Sequence, residues 1–259
     1  MHILTILRLV PDTREELPFE DAEIERDDID IMLNEFDDYA LEEAILLKEA
    51  TGGTVTALGM PGDGIDRILQ TAVARGADRA VRLDCGDADH LSSRDLSGAF
   101  AAIVDAIKPD VILTGVQTPE DMFGQLVPHA GETLGWPHAS GITTVSQASD
   151  TALRIQQEYG GGKSAILEVD LPVVLGIQSS SQPPRYVAGS KLRDAIKTTT
   201  VEPLEIGLAE AAGLSGATVT ALSEPKRGEG AAMYEGDAED VADALYALLS
   251  ERGLLEARQ

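Results

Sequence analysis

The feature that most constrains this chain is the alternation of short apolar runs with amphipathic stretches through its first half. Residues 2–7 (HILTIL) read as a buried strand, closed by the Pro11-Asp12 turn. Residues 12–31 are polar and acidic and read as a long loop or small hairpin. Residues 36–50 then carry Phe36, Ala40, Ala44 and Leu47 at helical spacing, widened by Leu41 and Ile45, and Gly52-Gly53 stops the helix. The pattern repeats: strand Val55–Leu58, helix Ile65–Arg75 ended by Gly76, strand Ala80–Leu83. Helix Ser93–Ile107, with Phe100, Ile103, Val104 and Ile107 on one side, leads to strand Val111–Thr114 and a helix from about Gly124 to Leu134. Strands alternating with helices mean βαβ units with right-handed crossovers, and so a doubly wound parallel α/β sheet covered on both faces.

After Pro137 the pattern changes. Ala152–Tyr159 and Ala165–Val169 read as two strands joined through Gly160-Gly161-Gly162, an antiparallel hairpin. Val173–Ile177 reads as another buried strand, and residues 178–206 as irregular chain. Residues 224–236 are Gly-rich and read as a loop, and Asp237–Arg252 as a terminal helix carrying Val241, Leu245, Leu248 and Leu249. These readings divide the chain into an α/β domain, 1–206, with its hairpin at about 151–170, and an extended tail, 207–259, expected to pack on a partner.

Charge excludes several functions. Forty-five acidic against 20 basic residues give a formal net charge of -25, which repels nucleic acid and anionic membranes. The acids are spread along the chain and only six basic residues are lysine, which favours adaptation to high intracellular salt over an acidic interaction surface. No apolar run is long enough for a signal-peptide core or a membrane span, so a cytoplasmic location is expected. Cys85 is the only cysteine, and His2, His90, His129 and His138 are scattered, so neither a disulfide nor a zinc site is expected.

Familiar catalytic patterns fail on inspection. Gly162-Lys163-Ser164 resembles the end of a P-loop, but Gln157 stands where the first glycine belongs, and the run lies between strands. Ser179-Ser180-Ser181 lacks a nucleophile elbow. Asp37-Asp38 with Glu42-Glu43 fits acids placed near the positive end of a helix dipole. Two segments carry more. In Thr114–Pro137 (TGVQTPEDMFGQLVPHAGETLGWP) a strand ends in glycine, a polar loop follows, and Gly124 opens a helix. That is where open parallel sheets hold ligands, and free helix N–H groups there suit a phosphate. In Leu33–Ala44 (LNEFDDYALEEA), Asn34 is placed to cap a helix, or to enclose an adenosine with residues 35–37.

These two segments together resemble the beta subunit of electron-transfer flavoproteins. The resemblance begins at Ile3-Leu4 and Val10-Pro11-Asp12 and continues through LNEFDDYALEEAILLKEATGG, ARGADRAVRL and DVILTGVQTPEDMFGQLVPHAGETLGWP. It then takes in the Gly-rich hairpin, LPVVLGIQ and Pro184-Arg185-Tyr186, covering nearly the whole chain. With the acidic surface, the chain is similar to a salt-adapted, haloarchaeal-like version. The resemblance implies a Rossmann-like domain holding AMP, in a heterodimer whose alpha subunit makes most of the FAD contacts. It implies electrons taken from acyl-CoA or related dehydrogenases of fatty acid β-oxidation and passed to a membrane quinone oxidoreductase. In a second branch of the family, FAD replaces AMP and electrons are bifurcated.

By matching positions, the nucleotide would be lined by Ile6, Asn34, Glu35, Phe36, Asp37 and Met60, and by Gly115, Gln117, Thr118, Asp121, Gly124 and Gln125 in the last loop. The family usually shows Gly-Lys-Gln-Ala-Ile-Asp-Gly-Asp-Thr-Gly-Gln in that loop. Here Val116 replaces the lysine, Pro119-Glu120 replace Ile-Asp, and Met122-Phe123 replace Asp-Thr; Glu35 stands for the proline after Asn34. Partner contacts fall to Arg185, Tyr186 and Leu192, with Gly189 at the position of the family's docking leucine. No catalytic residue is expected, because a carrier positions a flavin that does the chemistry. A free-standing adenine-nucleotide-binding stress or signalling module shares the sheet and its loop, but does not need the tail. A nucleotide hydrolase is disfavoured by the missing P-loop and metal cluster.

Overall fold

A computed structural model describes residues 1–14, 17–20, 23–25, 29–85, 93–121, 123–207, 220–223, 226, 228 and 230–255. His90, Met122 and parts of the 12–31, 207–259 and 224–236 segments lie outside the described residues. The chain divides into a compact unit, Met1–Thr220, and a second, Ala221–Gln259.

The first unit opens with β1 (His2–Leu7), then β2 (Leu9–Pro11), β3 (Phe19–Glu20), β4 (Glu23–Ile24) and β5 (Ile31–Leu33). The β2–β5 and β3–β4 pairs are antiparallel, so the polar 12–31 segment is bracketed by small ribbons. There follow α1 (Glu35–Thr51), β6 (Thr54–Gly59), α2 (Ile65–Arg75), β7 (Arg79–Asp84), α3 (Ser93–Ile107), β8 (Val111–Gly115) and α4 (Leu126–Leu134). Then come β9 (His138–Ser149), β10 (Ala152–Tyr159), β11 (Lys163–Asp170), β12 (Val173–Ile177), α5 (Gly189–Thr198) and β13 (Val201–Glu205).

One nine-stranded sheet runs in the order β11-β10-β9-β12-β8-β1-β6-β7-β13. It is parallel from β9 to β13, and β10 and β11 extend it as the antiparallel hairpin. Because side chains alternate along a strand, each central strand feeds two cores. Ile3, Leu7, Val55, Ala57, Val111, Leu113, Val173 and Leu175 lie in the core with residues of α1 and α2. Leu4, Ile6, Leu58, Ile112 and Val174 lie in the other, with Phe100, Ile103 and Val127 of α3 and α4. This two-sided burial is why these strands read as continuous apolar runs.

The structure differs from the sequence reading in four elements. Residues 178–206 are not irregular throughout: α5 lies against α2, and β13 pairs in parallel with β7 from Val201↔Ala80 to Glu205↔Asp84. β13 is an edge strand, half-exposed and carrying Pro203, so its apolar signal is weak. The twelve residues of β9 lie before the hairpin, where no strand was read. Its first half pairs with β12 and its second with β10, and its large apolar residues are only Ile142 and Val145. α4 begins at Leu126, two residues later than expected.

The second unit contains α6 (Ala238–Glu251), capped by the Asp237 carboxylate, which accepts the N–H groups of Glu239 and Asp240 at 3.0 Å. Leu245, Tyr246 and Leu249 on this helix are exposed.

Candidate nucleotide site at the strand ends

The chain leaves β1 through α1 to β6 on one side, and returns from β7 through α3 to β8 on the other. The winding therefore reverses between β1 and β8. In open parallel sheets ligands bind beyond the carboxyl ends of the strands at such a reversal. Four segments converge on this edge. The Asn34 N–H donates to Arg8 O at 2.9 Å, which sets the start of α1 beside the end of β1. The Met60 N–H donates to Leu7 O at 2.9 Å, and the Val116 N–H to Ile177 O at 2.9 Å. The expected residues thus gather at one edge, although Ile6 and Met60 are buried in the α3/α4 core just beneath it.

The loop after β8 is bonded to itself. The Asp121 N–H donates to Thr118 Oγ1 at 3.0 Å, and the Asp121 carboxylate accepts the Gln125 N–H at 3.0 Å and the Ser93 hydroxyl. Gly124 does not open the helix. Its N–H donates to Asp121 O at 3.1 Å and its φ is 60°, so a side chain there is strained. A Cβ would also stand 2.7 Å from Val116 O. Gln117, Phe123 and Gln125 are exposed, Phe123 by 78%. Asn34 is not a side-chain cap: its Nδ2 donates across to Gln117 O at 3.0 Å and ties the two predicted segments together. Neither Asn34 nor Gln125 caps its helix with its own side chain, and the first turn of α4 holds no acid, although the Asp121 carboxylate accepts the Gln125 N–H just before it. A helix start suits an anion, and here the Asp121 carboxylate already takes one of its N–H groups.

Beneath this edge lies a polar node in which Asp37 and Gly115, both expected to line the nucleotide, are held by Arg8, which the sequence reading missed. Arg8 forks onto Asp37, with Nε to Oδ2 at 2.9 Å and Nη2 to Oδ1 at 2.7 Å. Asp37 Oδ2 also accepts the Arg8 N–H at 2.9 Å, and Oδ1 the Gly115 N–H at 2.7 Å. Arg8 Nη2 donates to Gly115 O at 3.0 Å as well. The one available signal was a lone cation at the end of an apolar strand.

The acids farther along α1 are also tertiary anchors rather than surface dipole partners. Glu43 is buried and accepts the Val145 N–H at 2.7 Å, the Ser181 N–H at 3.0 Å and the Ser181 hydroxyl at 2.9 Å. Burial pushes its carboxyl up from the ordinary range, against the pull of those donors. Glu42, also buried, accepts the Arg185 N–H and Nε, both at 2.9 Å, and Glu49 accepts Arg185 Nη1 at 2.6 Å. The Glu49 bond, then Glu42, holds the Arg185 guanidinium above its ordinary value. Arg185 is therefore engaged inward, whereas Tyr186 beside it is 90% exposed and Leu192 is half-buried on α5.

Elsewhere, an open cleft of 490 Å³ lined by Met1, Thr51, Asp110, Gln147 and Asp150 lies at the amino ends of β1 and β8, opposite the reversal. Among the described residues, no group of three or more His, Cys, Asp or Glu side chains is placed to hold a metal ion. No described helix is long and apolar enough to cross a membrane.

Sheet, reversal point and converging loops define a doubly wound α/β protein of the Rossmann-like class. Residues 22–207 match the family model described as electron transfer flavoprotein domain, and the chain belongs to that family. It is 30% identical over 252 residues to the electron transfer flavoprotein subunit beta of Methylophilus methylotrophus, covering 90% of this chain and 93% of that one. It is 30% identical over 207 residues to the corresponding subunit of Bacillus subtilis, covering 80% and 79%. With the one from Thermoanaerobacterium thermosaccharolyticum it shares 27% over 263 residues, covering 98% and 100%.

Proposed function

We propose that this chain is the beta subunit of a heterodimeric electron carrier of the cytoplasm. It keeps an AMP at the β1/β8 edge as scaffold and pairs with an alpha subunit that holds most of an FAD. The observation that carries the reading is the convergence of Asn34–Asp37 and Gly115–Gln125 on the reversal point, joined by the Asn34–Gln117 bond. Family membership supports the flavin and the alpha partner.

The residues present fit a nucleotide. The first turn of α4 holds no acid and Gln125 makes no side-chain cap, so a phosphate would share this helix start with the Asp121 carboxylate at the Gln125 N–H. Asn34, Gln117, Thr118 and Gln125 supply amides and a hydroxyl for base and ribose, and Asp121 holds the loop in shape. The flavin, when bound, supplies the redox chemistry, and the protein's part is binding and orientation. In this reading electrons come from acyl-CoA or related dehydrogenases and leave to a membrane quinone oxidoreductase. Tyr186 and Leu192 face the donor, with Arg185 fixing the loop between them and α1. The domain of residues 1–206 holds the nucleotide, and the tail 207–259 packs on the alpha subunit.

A second reading places another FAD in this site, as in electron bifurcation. One observation favours it: the exposed Phe123 ring on the loop gives a flavin ring a surface to cover. Co-expression with the candidate alpha subunit tests the proposal. A yellow heterodimer is expected, and a colourless chain that stays alone in its presence would overturn it.

A further inference from the structure

The first turn of α1 carries three acids, Glu35, Asp37 and Asp38, at the edge where the nucleotide is placed. Uncompensated carboxylates there would repel a phosphate. Each has an internal partner. Tyr39 donates its neutral hydroxyl to the exposed Glu35 at 2.9 Å, which leaves that charge to solvent, and Arg75 pairs with Asp38. The third pair, Arg8 with Asp37, differs in two respects. Its side chains are 10% and 0% exposed, so its charges act with little solvent screening. It is also bonded to the site's own backbone, because both the N–H and the C=O of Gly115 are held by it.

We infer that Arg8 is a positioning residue of the nucleotide site, and that it sets the site's preference for a nucleotide phosphate over a neutral nucleoside. Its fork fixes the end of β8 against the first turn of α1, and with it the separation of the two segments that enclose the ligand. Its charge cancels Asp37 beside them. The inference rests on the nucleotide reading above, because a site without a nucleotide has no preference to set.

The two charges predict opposite signs. Removing Arg8 leaves Asp37 unbalanced, which weakens AMP more than adenosine. Neutralising Asp37 leaves Arg8 unbalanced, which strengthens AMP relative to adenosine. Lysine at position 8 keeps the charge but loses the bidentate fork.

The test is the ratio of adenosine to AMP dissociation constants, measured by equilibrium dialysis on the heterodimer after its nucleotide is removed by mild denaturation and refolding. Arg8→Gln is expected to lower this ratio about tenfold, equivalent to about 1.4 kcal/mol of differential interaction. Asp37→Asn is expected to raise it, and Arg8→Lys to keep it within about threefold of wild type while both affinities fall. The Arg8→Gln/Asp37→Asn double variant, which buries no lone charge, is expected to return toward the wild-type ratio, and it remains informative if Arg8→Gln alone does not fold. An unchanged ratio in every folded variant, even with both affinities lowered, would reduce Arg8 to a structural strut and overturn the inference. Failure of the wild-type heterodimer to bind either ligand would instead overturn the nucleotide reading.

Discussion

Gly115 leaves no room for a side chain at the point where strand, helix and loop meet. A Cβ there would stand 2.5 Å from Asp37 Oδ1 and 2.6 Å from Phe36 Cβ. Both neighbours are held, one by the Arg8 fork and the other in the first turn of α1, so neither can yield cheaply. Gly115→Ala is therefore expected to destabilise the fold by about 1–3 kcal/mol, read as a lower denaturant midpoint at unchanged slope; an unchanged midpoint would contradict the packing. Glu43 makes a different kind of prediction. Its carboxyl is raised above the ordinary 4.5 in the folded chain, chiefly by burial. The folded state then holds that proton more tightly than the unfolded chain. The resulting stability is present below the ordinary value and is lost as pH rises through the raised one. The stability of wild type relative to Glu43→Gln is thus expected to fall as pH rises from about 4.5 toward neutrality. A pH-independent difference would show that the donors from Val145 and Ser181 offset burial, and a difference that rises with pH would show that they outweigh it. At this scale the sequence was only partly legible. Asn34 has the composition of a helix cap, yet its amide goes to Gln117, 83 residues away. Local chemistry names the residue type that suits a helix start, but tertiary approach chooses its partner.

Among the elements, α1 does most to organise the molecule. Its first turn stands at the reversal point, its apolar stripe packs on the central strands, and Glu42, Glu43 and Glu49 hold the segment through Ser181 and Arg185. Arg185→Ala would leave the buried Glu42 carboxylate without its guanidinium. The expected cost is about 1–3 kcal/mol, with faster hydrogen exchange concentrated in residues 178–188. Protection there unchanged from wild type would show that the clamp does not hold the loop. The same helix shows how far pattern reading reaches. Its apolar spacing was legible because its stripe is buried, and so were the strands buried on both faces. β9 and β13 were not, because they are half-buried and carry few large apolar residues. Glu42 and Glu43 adjoin Leu41, Ala44 and Ile45 on the inward side, and that position distinguishes a buried anchor from a surface acid.

At the scale of the molecule, the sheet order and its reversal place the candidate site, and family membership supplies the electron-carrying role. Two further outcomes follow. A chain ending at Thr220, the boundary of the first compact unit, is expected to keep its α/β circular dichroism but lose capture of the alpha subunit; equal capture would remove the tail from the interface. With a net charge of -25, the melting temperature is expected to rise with KCl as self-repulsion is screened. A flat response up to about 2 M, where the screening length falls below roughly 3 Å, would count against salt adaptation. On the proposed function, this chain holds a nucleotide of its own beside a flavin shared with its partner. Denaturing the purified heterodimer and identifying the released nucleotides by mass tests it most directly. One AMP for each FAD is expected, with the AMP lost when Gly124, the left-handed turn before α4, is replaced by valine. A single FAD with no second nucleotide would contradict it.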